Sequence, residues 1–353
     1  MPIRNLTGQK FGTITFLRPT NKRGNAGTII WEVECDCGRK FETTANSYLK
    51  GQPNCGYNCS FFINPARKFK NPKTSTYNTV LKTVYADGDL KLDEFIYLSQ
   101  FSCFYCNSAP NNSYNKSSKT ASIVYSGLDR VDNDKPHNLN NCLPACHTCN
   151  AGKNDLDLLY FTELVTNIHN NKENALYALN NNQNIIDNIL KTETMNKLLL
   201  KYPSSKIVKG KKHQHPILRS AKAAFKHYQT DGLTNDRFPL FFALSQRNCV
   251  YCNSKPYSCT YKKDKGFGEA FIYNGADRIL SIDNNGKRLN HSNIYNLVTC
   301  CRRCNILKAR MNPIEFYDHI DKIYNRLHII QNAYSWIEKL VPIVQRESKK
   351  IDL

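Results

Sequence analysis

"GLDRVDNDKPHNLNNCLPACHTCNAGK", residues 127–153, sets an Asp-Arg pair on one side of a polar loop and Cys-x-x-Cys-Asn on the other. "GADRILSIDNNGKRLNHSNIYNLVTCCRRCNILK", residues 275–308, repeats that order with a longer loop. Upstream the two copies still align: "YNTVLKTVYADGDLKLDEFIYLSQFSCFYCNS" against "LRSAKAAFKHYQTDGLTNDRFPLFFALSQRNCVYCNS". In each, a helical stretch leads through an Asp-Gly turn to a second short helix, then Ser-Gln and Cys-x-x-Cys-Asn-Ser. "IVYSGLDRV" and "FIYNGADRI" are apolar enough for strands, and each copy closes on Cys-x-x-Cys-Asn-x-x-Lys and another helix. One unit has been duplicated within the chain.

Of the 15 cysteines, most fall into sets of four with close internal pairs, in a large chain with no export signal, which favours metal over disulfides. Cys103, Cys106, Cys146 and Cys149 form two knuckles that can turn their thiolates onto one tetrahedral zinc, as do Cys249, Cys252, Cys301 and Cys304. A third set, Cys35, Cys37, Cys55 and Cys59, punctuates residues 1–60, where "KFGTITFL" and "IIWEVECDC" alternate as short strands. So short a segment buries little core, and zinc would supply part of its folding free energy. Three structural zinc ions are expected. Cys142, Cys259 and Cys300 are left over and read as ordinary buried thiols.

Zinc at the second knuckle sets Asn150, or Asn305, against the strand bearing Asp129, or Asp277. Asp and Asn oxygens converging in this way form a hard site that suits Mg²⁺ or another divalent cation and phosphate oxygens. The chain carries 49 Lys and Arg against 29 Asp and Glu, a formal net charge of +20, which attracts a polyanion. Double-stranded DNA is the leading expected partner. No run of 18 apolar residues exists and the N-terminus lacks a signal layout, so the expected setting is intracellular, without a membrane.

The order strand, Asp-Arg, loop, Asn, strand, Cys-x-x-Cys-Asn-x-x-Lys resembles the ββα-metal (His-Me finger) site of HNH endonucleases, especially the phage and intron-encoded type with two zinc knuckles. Residues 77–170 and 217–330 carry the resemblance; residues 1–60, through "NLTGQKFGTITFL" and "CDCG", more loosely resemble the zinc module preceding such domains. The implied class is α+β, with a β-rich zinc module (1–60), basic linker (61–76), first HNH-like domain (77–170), helical and basic linker (171–216), second HNH-like domain (217–335) and C-terminal tail (336–353). Flanking helices complete each HNH-like domain.

The resemblance implies a site-specific, homing-like DNA endonuclease, in the cytoplasm of a phage- or virus-infected host or an organelle matrix. Asp129 with Asn150, and Asp277 with Asn305, would bind the catalytic metal, and Asn141 and Asn296 would tie the loops. Where the family has its general-base His, this chain has Arg130 and Arg278, which cannot take a proton at neutral pH but could clamp a phosphate. Some members with this variant use a nearby tyrosine; Tyr125 and Tyr273 stand four residues before the Asp, on the same strand face, and so could point to one site with it. His137, His147 and His291 are other candidate bases, and Lys153 and Lys308 are expected to touch phosphate or solvent. The tandem copies could act as a single-chain pseudo-dimer, copy one, with its compact loop, the more competent. The competing readings are a DNA-binding or regulatory protein built on degenerate repeats, and an RNA-binding nuclease.

Overall fold

A computed structural model describes residues 5–11, 14–35, 40–46, 74–114, 123–203, 206–208, 211–213, 215–259, 270–283 and 285–351. The chain forms two compact units: residues 1–159 with 325–353, and residues 160–324. Both mix helices and strands.

The first unit opens with a four-stranded antiparallel sheet, β1 (Lys10–Phe11), β2 (Ile14–Arg23), β3 (Ile29–Cys35) and β4 (Lys40–Thr44), in that order. The period-two pattern turns Ile14, Phe16, Trp31, Val33 and Cys35 inward, while Arg18 pairs with Glu32 and Lys22 with Glu42 outside. Phe16 meets Trp31 edge-on at 5.7 Å. Cys35 is buried at the end of β3; Cys37, Cys55 and Cys59, its expected zinc partners, lie outside the described residues, as does most of the basic linker.

Helices α1 (Thr74–Val84) and α2 (Leu92–Leu98) follow, then β5 (Asn112–Tyr114), β6 (Ile123–Tyr125), β7 (Gly127–Arg130) and β8 (Cys142–Ala145). β5 pairs with β6, and β7 with β8 in the register Asp129↔Leu143 and Arg130↔Cys142. Helix α3 (His147–Lys153) starts at once, its N-cap Cys146 accepting the Cys149 N–H. The first Cys-x-x-Cys-Asn-Ser turn closes through Asn107 N–H to Cys103 O, with Asn107 at φ 61°, a left-handed conformation asparagine tolerates.

α4 (Leu158–Asn170) leads into the second unit, with α5 (Lys172–Asn180), α6 (Asn182–Thr192) and α7 (Met195–Lys201). Residues 171–216 are therefore not merely a linker. Ile186, Ile189 and Leu198 enter one apolar core with Leu218, Phe225 and Phe241. Ile186 and Ile189, at i, i+3 spacing, form an apolar stripe on α6, and its burial stabilises by roughly 1.5–3 kcal/mol per large side chain. Two asparagines tie this layer down: Asn171 donates to Val250 O and Tyr251 O, and Asn182 to Tyr295 O and Leu297 O. In the expected exposed basic linker, β9 (Lys206–Val208) and β10 (Lys211–His213) pair antiparallel.

The duplicated elements come next: α8 (Pro216–Gln229), α9 (Phe238–Ser245), β11 (Ser258–Cys259), β12 (Ile272–Tyr273), β13 (Gly275–Arg278), β14 (Leu297–Cys300), α10 (Arg302–Lys308) and α11 (Pro313–Tyr324). The β13–β14 register, Asp277↔Val298 and Arg278↔Leu297, reproduces the first copy. Back in the first unit are α12 (Leu327–Ile330) and α13 (Ala333–Glu347). The expected C-terminal tail is thus mostly helix: Trp336, Ile337, Leu340 and Val344 form a buried stripe, and Trp336 packs edge-on to Phe104 at 5.0 Å.

Candidate active site

Each copy is built on four buried thiols. Sγ atoms of Cys103, Cys106, Cys146 and Cys149 converge within 4.8 Å of one another, as do those of Cys249, Cys252, Cys301 and Cys304. The Cys106–Cys146 and Cys252–Cys301 separations are both 3.7 Å. A tetrahedron with Zn–S bonds of ~2.3 Å has edges of about 3.8 Å, so both sets fit structural zinc. Cys300 stays outside its set, buried, with its thiol pushed up to about 12 by burial. Cys142 is also buried, whereas Cys259 is exposed, against expectation.

The hairpin above each cluster carries the Asp-Arg pair, whose side chains alternate across the strand. Asp129 points inward: the Tyr105 hydroxyl donates to Oδ2, and Lys153 Nζ lies 3.2 Å from the carboxylate. Lys153 also donates to Arg130 O at 2.8 Å and to Asn133 Oδ1 at 3.3 Å. In the second copy Lys308 Nζ lies 3.0 Å from Asp277 and donates to Arg278 O at 2.8 Å, while Tyr251 donates to Asp277 at 3.3 Å. Both lysines are fully buried, which corrects the expectation that they meet phosphate or solvent. Burial pushes the Asp129 carboxyl up, against the opposing pull of Lys153 and Tyr105, and burial likewise raises Tyr105, keeping it a donor.

This geometry tests the expected catalytic cation. Both Asp129 oxygens are engaged and the group already has a counter-charge, so a divalent ion would have to displace or face the Lys153 ammonium. Asn150 turns its Nδ2 onto Leu128 O at 3.1 Å. The Asp129–Asn150 donor set does not fit a hard two-oxygen Mg²⁺ site in this arrangement, and in the second copy Asp277 likewise has the Lys308 ammonium 3.0 Å from its carboxylate.

Arg130 and Arg278 line clefts of about 370 and 300 Å³, and Asp129 and Asp277 border the same two clefts. His137 and Asn150 line the first with Arg130, and His291 and Asn305 line the second with Arg278. His147, exposed at the start of α3, also lines the first. Arg130 Nη1 lies 3.5 Å from Asp87, and His137 Nδ1 is 2.6 Å from the same carboxylate. In the second copy Asp231 receives Arg278 at 2.8 Å, His291 Nδ1 at 2.6 Å and Arg288 at 3.3 Å. Tyr85 and Tyr228 back these imidazoles edge-on, at 4.9 and 5.2 Å, and accept the Leu128 and Ala276 N–H groups.

Asn141 accepts Asp132 N–H and donates to Asp132 O, Lys135 O and Pro136 O; Asn296 accepts Leu280 N–H and donates to Leu280 O. Tyr125 and Tyr273 lie on strands separate from those of their aspartates, β6 before β7 and β12 before β13. Ser126 leaves the strand to bond Ser99 O and Phe101 O, and Asn274 likewise bonds Ser245 O, so alternation resets between β6 and β7 and between β12 and β13. Tyr125 packs on Phe95, and Tyr273 stacks on Phe271.

Sequence reading missed Tyr105 and Tyr251 at the carboxylates, and Asp87 and Asp231 at the imidazoles. The signal was repetition: Tyr precedes the second knuckle cysteine in both copies, and Asp-Gly follows a tyrosine in both helical hairpins.

The chain is 27% identical over 242 residues to an uncharacterized protein of Acanthamoeba polyphaga mimivirus. That alignment covers 61% of this chain and 40% of the relative. No family model and no solved structure matches the chain. No helix among the described residues is long and apolar enough to cross a membrane.

Proposed function

We propose that this chain is an HNH-like endonuclease that hydrolyses phosphodiester bonds in double-stranded DNA. The supporting observation is a repeated cleft in which a guanidinium and a carboxylate-held imidazole stand side by side above a tetracysteine cluster. Arg130 or Arg278 holds the phosphate and offsets charge developing on its oxygens. His137 or His291 takes the proton from the attacking water. The formal charge of +20 supplies the sequence-independent attraction to the backbone. No step of this reading passes through a cation on Asp129 or Asp277.

The test is cleavage of end-labelled AT-rich duplex, single-stranded DNA and RNA, with and without added Mg²⁺. Duplex cutting is expected, and the Arg130→Ala, Arg278→Ala double variant should lose about 10²–10³-fold in rate. Duplex retention without cutting under any condition would favour a second reading, a DNA-binding protein on degenerate nuclease repeats. The locked Asp129 and Asp277 carboxylates are what favour it. Preferential RNA cutting would reassign the substrate.

The two clefts differ in access. Arg130 has 33% of its side chain exposed against 17% for Arg278, and His137 14% against 8% for His291. The added Arg288 contact ties Asp231 further. Arg130→Ala alone should therefore remove most of the cutting, and Arg278→Ala should slow one strand's cut only modestly. Strand-specific nicking measures this, and equal losses would mean equal sites.

A further inference from the structure

We infer that the Asp-Gly turn between the first two helices of each copy, Asp87-Gly88 and Asp231-Gly232, is a seat that aims the imidazole of His137 or His291 into the cleft. The inference rests on the nuclease reading for its purpose, but its geometry stands apart from it. Asp87 Oδ1 meets His137 Nδ1 at 2.6 Å, across fifty positions of sequence. A carboxylate there accepts the Nδ1 proton, which leaves the Nε2 lone pair as the ring's acceptor. Asp231 stands at the same distance from His291 Nδ1, and its own carbonyl accepts the His291 N–H at 2.7 Å. The second histidine is thus held by a backbone hydrogen bond to Asp231, with the same residue's carboxylate in ion-pair contact with its ring.

The glycine is the other half of the seat. A Cβ at Gly88 would lie 1.6 Å from the His137 carbonyl oxygen, a distance only displacement of the loop could relieve. Gly232 sits at φ +108°, and a Cβ there would meet Asn290 and Ser292, the neighbours of His291, at 3.2–3.3 Å. In both copies, then, the aspartate orients the ring and the glycine lets the histidine loop settle on the turn. Tyr85 and Tyr228 pack edge-on against the same rings.

In the reaction, a water gives one proton to Nε2 as its oxygen bonds phosphorus. One P–O ester bond breaks, and the leaving oxygen takes a proton from solvent. Asp87 and Asp231 touch neither substrate nor water; they are positioning residues.

The experiment is long-range ¹H–¹⁵N correlation of histidine-labelled protein with its zinc bound, His137 being assigned with His137→Gln. Neutral His137 should show the Nδ1–H tautomer. Asp87→Asn, at a half-exposed position where folding is not at stake, should shift it toward Nε2–H and cut turnover at least tenfold with KM little changed. Gly88→Ala should give the same tautomer loss with zinc content unchanged. An Nε2–H tautomer in the parent protein, or a tautomer indifferent to Asp87→Asn, overturns the seat. Tautomer shifts as expected, in a protein that cuts no nucleic acid, would uphold the seat and overturn the nuclease reading instead.

Discussion

Cys103→Ser should unfold the first hairpin-and-helix unit, not merely weaken its activity. Cys103 is fully buried and belongs to the set that joins the first knuckle to the N-terminus of α3. The knuckle packs beneath the hairpin, with Phe104 N–H bonded to Pro144 O in β8. With serine there, three buried thiols would lose the ion expected to neutralise them, and a zinc contribution, on the order of 10 kcal/mol in small zinc domains, would match or exceed the stability of a typical domain. The expected readouts are one fewer zinc per chain by elemental analysis and loss of near-UV dichroism from the surrounding aromatics. Cys249→Ser should do the same to the second copy. A folded Cys103→Ser protein with unchanged metal content would show that this set is not structural. The parent protein should carry at least two zinc ions per chain.

Lys153→Met should destabilise the first unit by about 3–5 kcal/mol, the usual cost of leaving one member of a buried ion pair alone. Methionine matches the stem but strands the Asp129 carboxylate, 3% exposed, with only the Tyr105 hydroxyl for company. Arg130 O and Asn133 Oδ1 lose their donor as well. Denaturant unfolding measures the loss, and Asp129→Asn added to Lys153→Met should restore part of it, because the uncompensated charge is then gone. Lys308→Met should behave alike in the second unit, where Asp277 is just as buried. The same variants bear on the cation question. If Asp129 were a metal ligand, removing the ammonium would raise affinity for Mn²⁺ or Mg²⁺; the pairing seen here predicts an unstable protein with no such gain in calorimetry.

The repeat, the tetracysteine sets of both copies and the Asp-Arg strands could be read from the sequence, because each is carried by spacing within a few residues. Two thiols at x2 spacing turn onto one ion whatever surrounds them, and a duplicated pattern rules out chance. The helical stripe of Ile186 and Ile189 was visible in the same way, but its burial was not, since a stripe says what a helix could bury and not what is there to meet it. The expectation that Tyr125 and Tyr273 share one continuous strand with their aspartates carried a local rule across an interruption. Alternation holds along one strand, and Ser126 and Asn274 break each strand in two to satisfy backbone carbonyls of the preceding segment.

Sequence by itself therefore determined the duplication, the thiol sets and the cationic character of the chain, all properties of composition and short spacing. The partners of the charged groups were decided only by the tertiary structure. Asp129 meets Lys153 and Tyr105, while His137 meets Asp87, through contacts spanning 24 to 50 positions. No periodicity encodes such pairings. They arise because desolvating a carboxylate or an ammonium is so costly that each must find a counterpart from another element, and packing alone settles which one is within reach.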